Sequence, residues 1–371
     1  MILAQKPSIV NNEQKKNKFP LVSIVITGRN EKDTIEKCIT SVINQTYPNF
    51  EIIYIDSKSS DGTFEIAVRL QNYANISNCR GYLSLSLETN SPARGRNYGV
   101  KHSSGSIIAF IDADCVAESN WLENLIKYFS NNTMIVGGPN ILRHIKDTKI
   151  IVAIEHILGT FFATGGSAQF MKIEKLTYVR ALSTCNLAIQ KKLFVEIGGF
   201  DESLRYNEDS DLCHRLRKKG YKILYSPEAI VKHFMGIENY SDLLKVFKKY
   251  GYERGKNVAK KPYLLTKSSL LSIASCSTMI FLLTLSLLFK SGETILLFLF
   301  LFFIFVIVVF IFSIKLAIKK RSPTLFFLGP LIYTSIHSVY SISFIGAYVQ
   351  ETANIIESRL KEILTKKFSF R

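Results

Sequence analysis

The chain is 371 residues long, enough for one large domain with an appendage or for two modest domains, each with a sizeable core. Its 47 Lys and Arg against 30 Asp and Glu favour phosphates, nucleic acid or an anionic membrane surface as partners. Six cysteines lie scattered without a CxxC pair or a Cys/His cluster at zinc spacing, so neither a disulfide framework nor a zinc site is supported, and reduced, buried thiols are the expected reading.

Residues 1–19 have polar side chains where a signal peptide needs an apolar core, and are expected to form a disordered cytoplasmic lead. "LVSIVIT" is a short β-branched run that ends in "GRNE", and "DTIEKCITSVINQ" carries Ile35, Ile39, Val42 and Ile43 at helical spacing. "FEIIYID", the polar turn "SKSSDGT" and "FEIAVRLQNYA" repeat the order of strand, turn and helix. Two such repeats predict an α/β domain with a parallel sheet covered on both faces. Ligands of such sheets bind at the carboxyl ends of the strands, so Thr27 to Glu31, Asp56 to Asp61 and Asp112 to Asp114 are the positions of interest. No GxGxxG follows the first strand and no GxxxxGK[ST] occurs, which counts against dinucleotide dehydrogenases and P-loop enzymes.

In "AFIDADCVAESNWL" an apolar strand ends on Asp112 and Asp114. Side chains two apart in an extended segment share a side, so both carboxylates can aim at one point. Two carboxylates with diphosphate oxygens suit Mg²⁺ or Mn²⁺, while a capping or turn role is the competing reading. In "FDESLRYNEDSDLCHRLRKKGY", Glu208, Asp209 and Asp211 open a helix that Leu212 and Leu216 bury and Gly220 stops. Acids in a first helical turn also serve as dipole and capping residues.

Beyond this region "NYSDLLKVFKKYGYERGKN" sets Leu243, Leu244 and Phe247 on one helical face with lysines on the others, the pattern of a basic helix at an anionic interface. The composition then breaks. "SSLLSIASCSTMIFLLTLSLLF" and "TILLFLFLFFIFVIVVFIFSI" each reach the ~20 apolar residues that cross about 30 Å of hydrocarbon. A third segment, Pro323 to Val349, is long enough but carries Pro330, His337 and several serines. Lys and Arg flank the first span on its amino side and the second on its carboxyl side, which predicts a multi-pass membrane protein with its amino-terminal domain facing the cytoplasm. A full third crossing would put the basic tail outside, against that rule, so a re-entrant or interfacial third segment stays open. The expected organisation is a lead (1–19), an α/β domain (20–238), a basic interfacial helix or linker (239–267), two to three transmembrane helices (268–349) and a basic tail (350–371). Nucleic acid is not an expected partner, because the aromatic residues near the lysines belong to apolar spans instead of interleaving as a stacking platform.

Three stretches, "VSIVITGRNEKDTIEKCITSVINQTYPNFEIIYIDSKSSDGT", "ARGRNYGVKHSSGSIIAFIDADC" and "CNLAIQKKLFVEIGGFDESLRYNEDSDLCHRLRKKGYKILYSPEAIVKH", together resemble the family 2 glycosyltransferases in order and spacing. The family's GT-A fold is a nucleotide-diphospho-sugar-binding, mostly parallel sheet flanked by helices. The resemblance implies that Thr27, Arg29, Asn30 and Glu31 line the nucleotide, with Asp56 at its base and Arg96 nearby. It implies that Asp112 and Asp114 form the metal motif, Asp114 being the closer ligand, that His233 completes the shell of Mn²⁺ or Mg²⁺, and that Asp209, beside Glu208, is the catalytic base. Ser57 and Lys58 stand where relatives often show an acid and a glycine, and the QxxRW signature of processive synthases is missing. "KKYGYERGKN" is more similar to the membrane-attached, succinoglycan-type exopolysaccharide glucosyltransferases. The implied function is an inverting, metal-dependent transfer of one sugar from a nucleotide-diphospho-sugar to a membrane-associated acceptor, either a lipid-linked sugar or a glycan precursor, beside membrane lipid. A polyprenyl-phosphate glycosyl synthase and a catalytically silent membrane scaffold that binds nucleotide sugars are the competing readings.

Overall fold

The computed structural model describes residues 19–74, 79–144, 148–165, 173–289 and 292–368, and the expected lead at 1–18 lies outside them. In chain order the first elements are β1 (Val22–Gly28), α1 (Ile35–Ile43), β2 (Phe50–Asp56), α2 (Thr63–Ala74), β3 (Cys79–Ser86), α3 (Pro92–Lys101) and β4 (Ile107–Asp112). Then come β5 (Cys115–Ala117), α4 (Trp121–Ile126), β6 (Ile135–Gly137), β7 (Asn140–Arg143), α5 (Lys149–Leu158), α6 (Phe161–Thr164), β8 (Thr177–Val179), β9 (Leu187–Gln190) and α7 (Lys191–Glu196). The chain continues through α8 (Glu208–Lys218), β10 (Ile223–Tyr225), β11 (Val231–Phe234), α9 (Tyr240–Lys260), α10 (Lys267–Phe289), α11 (Gly292–Lys320) and α12 (Pro323–Phe368). These elements form two compact units, one drawn from Met1–Asn140, Ile173–Glu202 and Arg215–His233, the other from Ile141–Lys172, Ser203–His214 and Phe234–Arg371.

The first unit is built on an eight-stranded sheet in the order β3-β2-β1-β4-β9-β6-β10-β8. Strands β3, β2, β1 and β4 run parallel, as the three βαβ crossovers through α1, α2 and α3 require. The sheet is mixed beyond them: β9 runs antiparallel to both β4 and β6, and β8 antiparallel to β10. The β1 strand is buried along nearly its whole length, so its Val/Ile run needs no alternation. The predicted apolar face of α1 (Ile35, Ile39, Val42, Ile43), joined by Cys38, packs into the sheet's core with Tyr54, Trp121 and Leu122. Chain order turns around at β1, with β2 and β3 on one side and β4 on the other, which opens a crevice beyond the carboxyl ends of β1 and β4.

The second unit is helical. Among the described residues three helices are long and apolar enough to cross a membrane: Ser272–Phe289, Gly292–Lys320 and Pro323–Ile363. Their outer faces stay apolar and exposed, with Leu288 at 70% and Phe303 at 62%. Helix α12 is the packing centre, and the polar residues that set it apart in sequence turn toward protein. Tyr333 meets Thr160 at 3.0 Å, His337 and Ser341 each lie 3.1 Å from Ser272, and Ser335 hydrogen-bonds Tyr240. Its 46 residues run unbroken through Pro330 and into the basic tail, about 69 Å at 1.5 Å per residue.

Helix α9 differs from expectation. Leu243 and Phe247 are buried in a core shared with α12 and α5, so the apolar face expected to lie on an anionic interface is covered by protein. The reason is Gly251 and Gly255, one turn apart: a Cβ on either would lie 2.2 Å from the carbonyl oxygen of Tyr340 or Phe344. Only glycine lets the two backbones meet that closely. Gly255→Leu should therefore lower the thermal midpoint of the detergent-solubilised protein, by about 1–3 kcal/mol of stability or more. Gly346→Ala, where a Cβ would meet nothing within 4 Å, serves as the neutral control. Equal midpoints for Gly255→Leu and the parent would refute the close packing.

Candidate active site

The parallel register sets the site. Thr27 pairs with Asp112 and Gly28 with Asp56, so the carboxyl ends of three neighbouring strands bring Thr27 and Asp112 to one level and Asp56 one residue beyond it. Gly28 allows the turn after β4 to close against β1, because a Cβ there would stand 2.5 Å from that of Ala113. Asn30 holds a left-handed backbone (φ 58°); its amide donates to Ser59 Oγ at 2.9 Å and its side-chain oxygen accepts from the Ser60 amide at 2.9 Å. The Glu31 amide donates to Thr63 Oγ1 at 2.8 Å, and Arg29 hydrogen-bonds Asn90. The loops after β1 and β2 are thus tied to each other.

Asp56 is 1% exposed and accepts from Tyr54 Oη at 3.0 Å, Ser59 Oγ at 2.6 Å and the Ser59 amide at 2.8 Å. Its carboxylate builds the 57–60 turn, a role the sequence resemblance did not include. Arg96, presented by α3 from a helix capped by Ser91, is buried and donates to Asp112 Oδ1 at 2.6 Å. Cys185 Sγ donates to the other oxygen, Oδ2, at 3.0 Å. Burial opposes ionisation of Asp112, but the charge and hydrogen bond of Arg96, helped by Cys185 and His233, hold its carboxyl below the usual carboxylate range.

Asp114 is the carboxylate left for a cation. Its Oδ2 lies 3.1 Å from His233 Nε2, and its Oδ1 accepts from Cys115 Sγ at 3.4 Å. His233 sits on β11 directly opposite Cys115, which brings it to the end of β4. Burial works against a charged His233 ring, yet Asp114, ahead of Cys185 and Asp112, carries its pKa up to about 10. The other ring nitrogen, Nδ1, is buried and has no hydrogen-bond partner. These residues fit a divalent cation: donors at about 2.1 Å on adjacent octahedral positions are about 3 Å apart, close to the separation of Asp114 and His233.

Two of these residues escaped the reading of spacing. Cys115, Cys185 and His233 offer ligand atoms that all lie within 4.8 Å of one another, so a Cys/His cluster absent along the chain exists in space. Cys185, in the 3-10 turn Thr184–Asn186 that precedes β9, faces Asp112 across the end of β4, a contact between distant segments that spacing does not record. Glu208 and Asp209 open α8 after Asn207, which has a left-handed φ of 66°, and belong to the helical unit. There the fully buried Asp211 accepts from Lys261 Nζ at 2.8 Å and from Tyr263 Oη, anchoring the same helical turn.

Glu31 gives a pH prediction. Burial, then Asp114 and Asp112, push its pKa up from 4.5 to about 8, so the folded protein holds a proton that the unfolded chain releases in that interval. Stability of the metal-free protein should fall as pH rises from about 4.5 to 8 through this group. Glu31→Gln should flatten that fall in thermal melts, and an unchanged slope would contradict the assignment.

Residues 23–198 match the family model described as glycosyl transferase family 2. Over 226 residues the chain is 26% identical to glycosyltransferase AglE of Haloferax volcanii, covering 58% of this chain and 67% of that one. Over 344 residues it is 24% identical to the dolichyl N-acetyl-alpha-D-glucosaminyl phosphate 3-beta-D-2,3-diacetamido-2,3-dideoxy-beta-D-glucuronosyltransferase of Methanococcus voltae, covering 89% of this chain and 97% of the relative. The fold is similar to that of the mannosyltransferase PcManGT from Pyrobaculum calidifontis, solved with GDP-Man and Mn2+, with a TM-score of 0.58 at 16% identity over 89% of this chain and 87% of that chain. Residues 23–198 thus belong to glycosyl transferase family 2, and the chain is a glycosyltransferase with a GT-A-type sheet followed by long apolar helices.

Proposed function

We propose that this glycosyltransferase moves one sugar from a nucleotide-diphospho-sugar to a lipid-linked acceptor at a membrane, with inversion at the anomeric carbon and with Mn²⁺ or Mg²⁺ as cofactor. The observation that carries the reading is the 3.1 Å approach of Asp114 to His233, beside Asp112, at the carboxyl end of β4. The Methanococcus voltae relative, whose name specifies a dolichyl phosphate-linked sugar, aligns over nearly its full length, apolar helices of this chain included. That supports the lipid-linked acceptor.

Asp114 and His233 would hold the cation. Bound there, it supplies positive charge against the diphosphate that leaves as the glycosidic bond breaks. Asp112, already paired with Arg96, keeps that guanidinium buried and oriented at the mouth of the crevice. Thr27, Arg29, Asn30 and Glu31 shape the loop that receives the nucleotide, and Asp56 keeps the adjoining turn in place. The acceptor hydroxyl must lose a proton as it attacks, and Asp209 is the carboxylate proposed to take it, with Glu208 beside it. One base and one displacement invert the anomeric centre. The cytoplasm is the proposed side for this chemistry, on the strength of the Lys and Arg flanking the spans.

Asp114→Ala should weaken Mn²⁺-dependent binding of nucleoside diphosphate in calorimetric titrations; an isotherm identical to the parent's would remove Asp114 from the cation site. Asp209→Asn should cut turnover by about 10²–10⁴-fold while nucleoside diphosphate binding is largely kept. A fully active Asp209→Asn enzyme, assayed by product mass, would end that residue's candidacy as base.

A further inference from the structure

The crevice also carries soft donors that transfer from a nucleotide sugar does not call for. Cys115, Cys185 and His233 are all buried, come from three different segments, and bring two sulfurs and one imidazole nitrogen within 4.8 Å of one another. Each thiol is aimed inward, Cys185 toward Asp112 at 3.0 Å and Cys115 toward Asp114 at 3.4 Å. His233 contributes a ring nitrogen, and its Nε2 stands 3.1 Å from Asp114 Oδ2, which brings a carboxylate to the same cluster.

We propose that Cys115, Cys185 and His233 form a binding site for a thiophilic divalent cation of the Zn²⁺ class, with the Asp114 carboxylate as the fourth donor. Tetrahedral ligation at ~2.3 Å for sulfur and ~2.0 Å for nitrogen sets donors roughly 3.5–3.8 Å apart, so the cluster must contract by at most about 1.3 Å. Side-chain rotation covers that distance. Ligation replaces the two S–H bonds and one His233 ring N–H bond by two sulfur–metal bonds and one nitrogen–metal bond, and three protons leave to solvent. Thiolate sulfur selects Zn²⁺ and Cd²⁺ over Mg²⁺ and Mn²⁺, so this site differs in chemistry from the proposed sugar-transfer cation site. Because the two share His233 and Asp114, occupation by a soft cation and by a hard one are mutually exclusive. That consequence alone rests on the reading under "Proposed function".

The experiment is titration of the full chain, solubilised in detergent, reduced and stripped of metal, with Cd²⁺ alone in the absence of nucleotide and Mn²⁺. The expected result is an ultraviolet cadmium–thiolate charge-transfer band that saturates at one equivalent, together with a rise in the thermal midpoint. Cys115→Ser and Cys185→Ser should each lose about half of the band, and the double variant all of it. Cys79→Ser, at the start of β3, and Cys276→Ser, on α10, should keep it whole. The single variants decide the matter even where the double variant does not fold. A band that survives both single substitutions at full strength, or no band at one equivalent of Cd²⁺, would overturn the proposal whatever the fate of the transferase reading.

Discussion

The site depends first on the register of β1 with its two neighbours. Because Thr27 lies level with Asp112 and Gly28 with Asp56, acidic and hydroxyl side chains from three strands end within one residue of each other, where the sheet gives way to loops. A slip of one residue would turn each of them to the opposite face of the sheet. The register is secured by burial on both sides of β1, from Val22 through Thr27, and by the close approach of Ala113 to Gly28.

On that frame the electrostatics divide two neighbouring aspartates between different tasks. Asp112 has a buried guanidinium on one oxygen and a thiol on the other, and stays ionised through them. Arg96 in turn could not remain buried without it, since removing one member of such a pair leaves an uncompensated charge. Asp114 has an imidazole on one oxygen and a thiol on the other, with no guanidinium paired to it among the described residues. Two acids of identical type, two positions apart, therefore differ in their readiness to take a cation, and Glu31 stays largely protonated nearby because it is buried and the local negative charge is already crowded.

The helical unit is held by a different principle. Where water does not drive helices together, close backbone contact and polar side chains turned inward hold them instead. Gly251 and Gly255 supply the first against Tyr340 and Phe344, and Ser272, His337 and Ser341 the second. Segment α5, which carries no motif, joins the same core through Ile151, Ile154 and Ile157. Helix α9 thereby becomes part of a helical core, and its lysines are left for the exposed sides.

The sequence by itself determined the elements whose periodicity is local: the β-branched runs of β1, β2 and β4, the apolar stripe of α1, and the long apolar helices. It also fixed the family, because its motifs are short and contiguous. Only the tertiary structure decided that Asp56 is a turn-building residue, that Cys185 faces Asp112, and that α9 spends its apolar face on α12. The physical reason is the same in each case. Such contacts join residues that strand pairing or helix packing brings together from distant points of the chain, and neither spacing nor hydropathy records which strand will lie beside which.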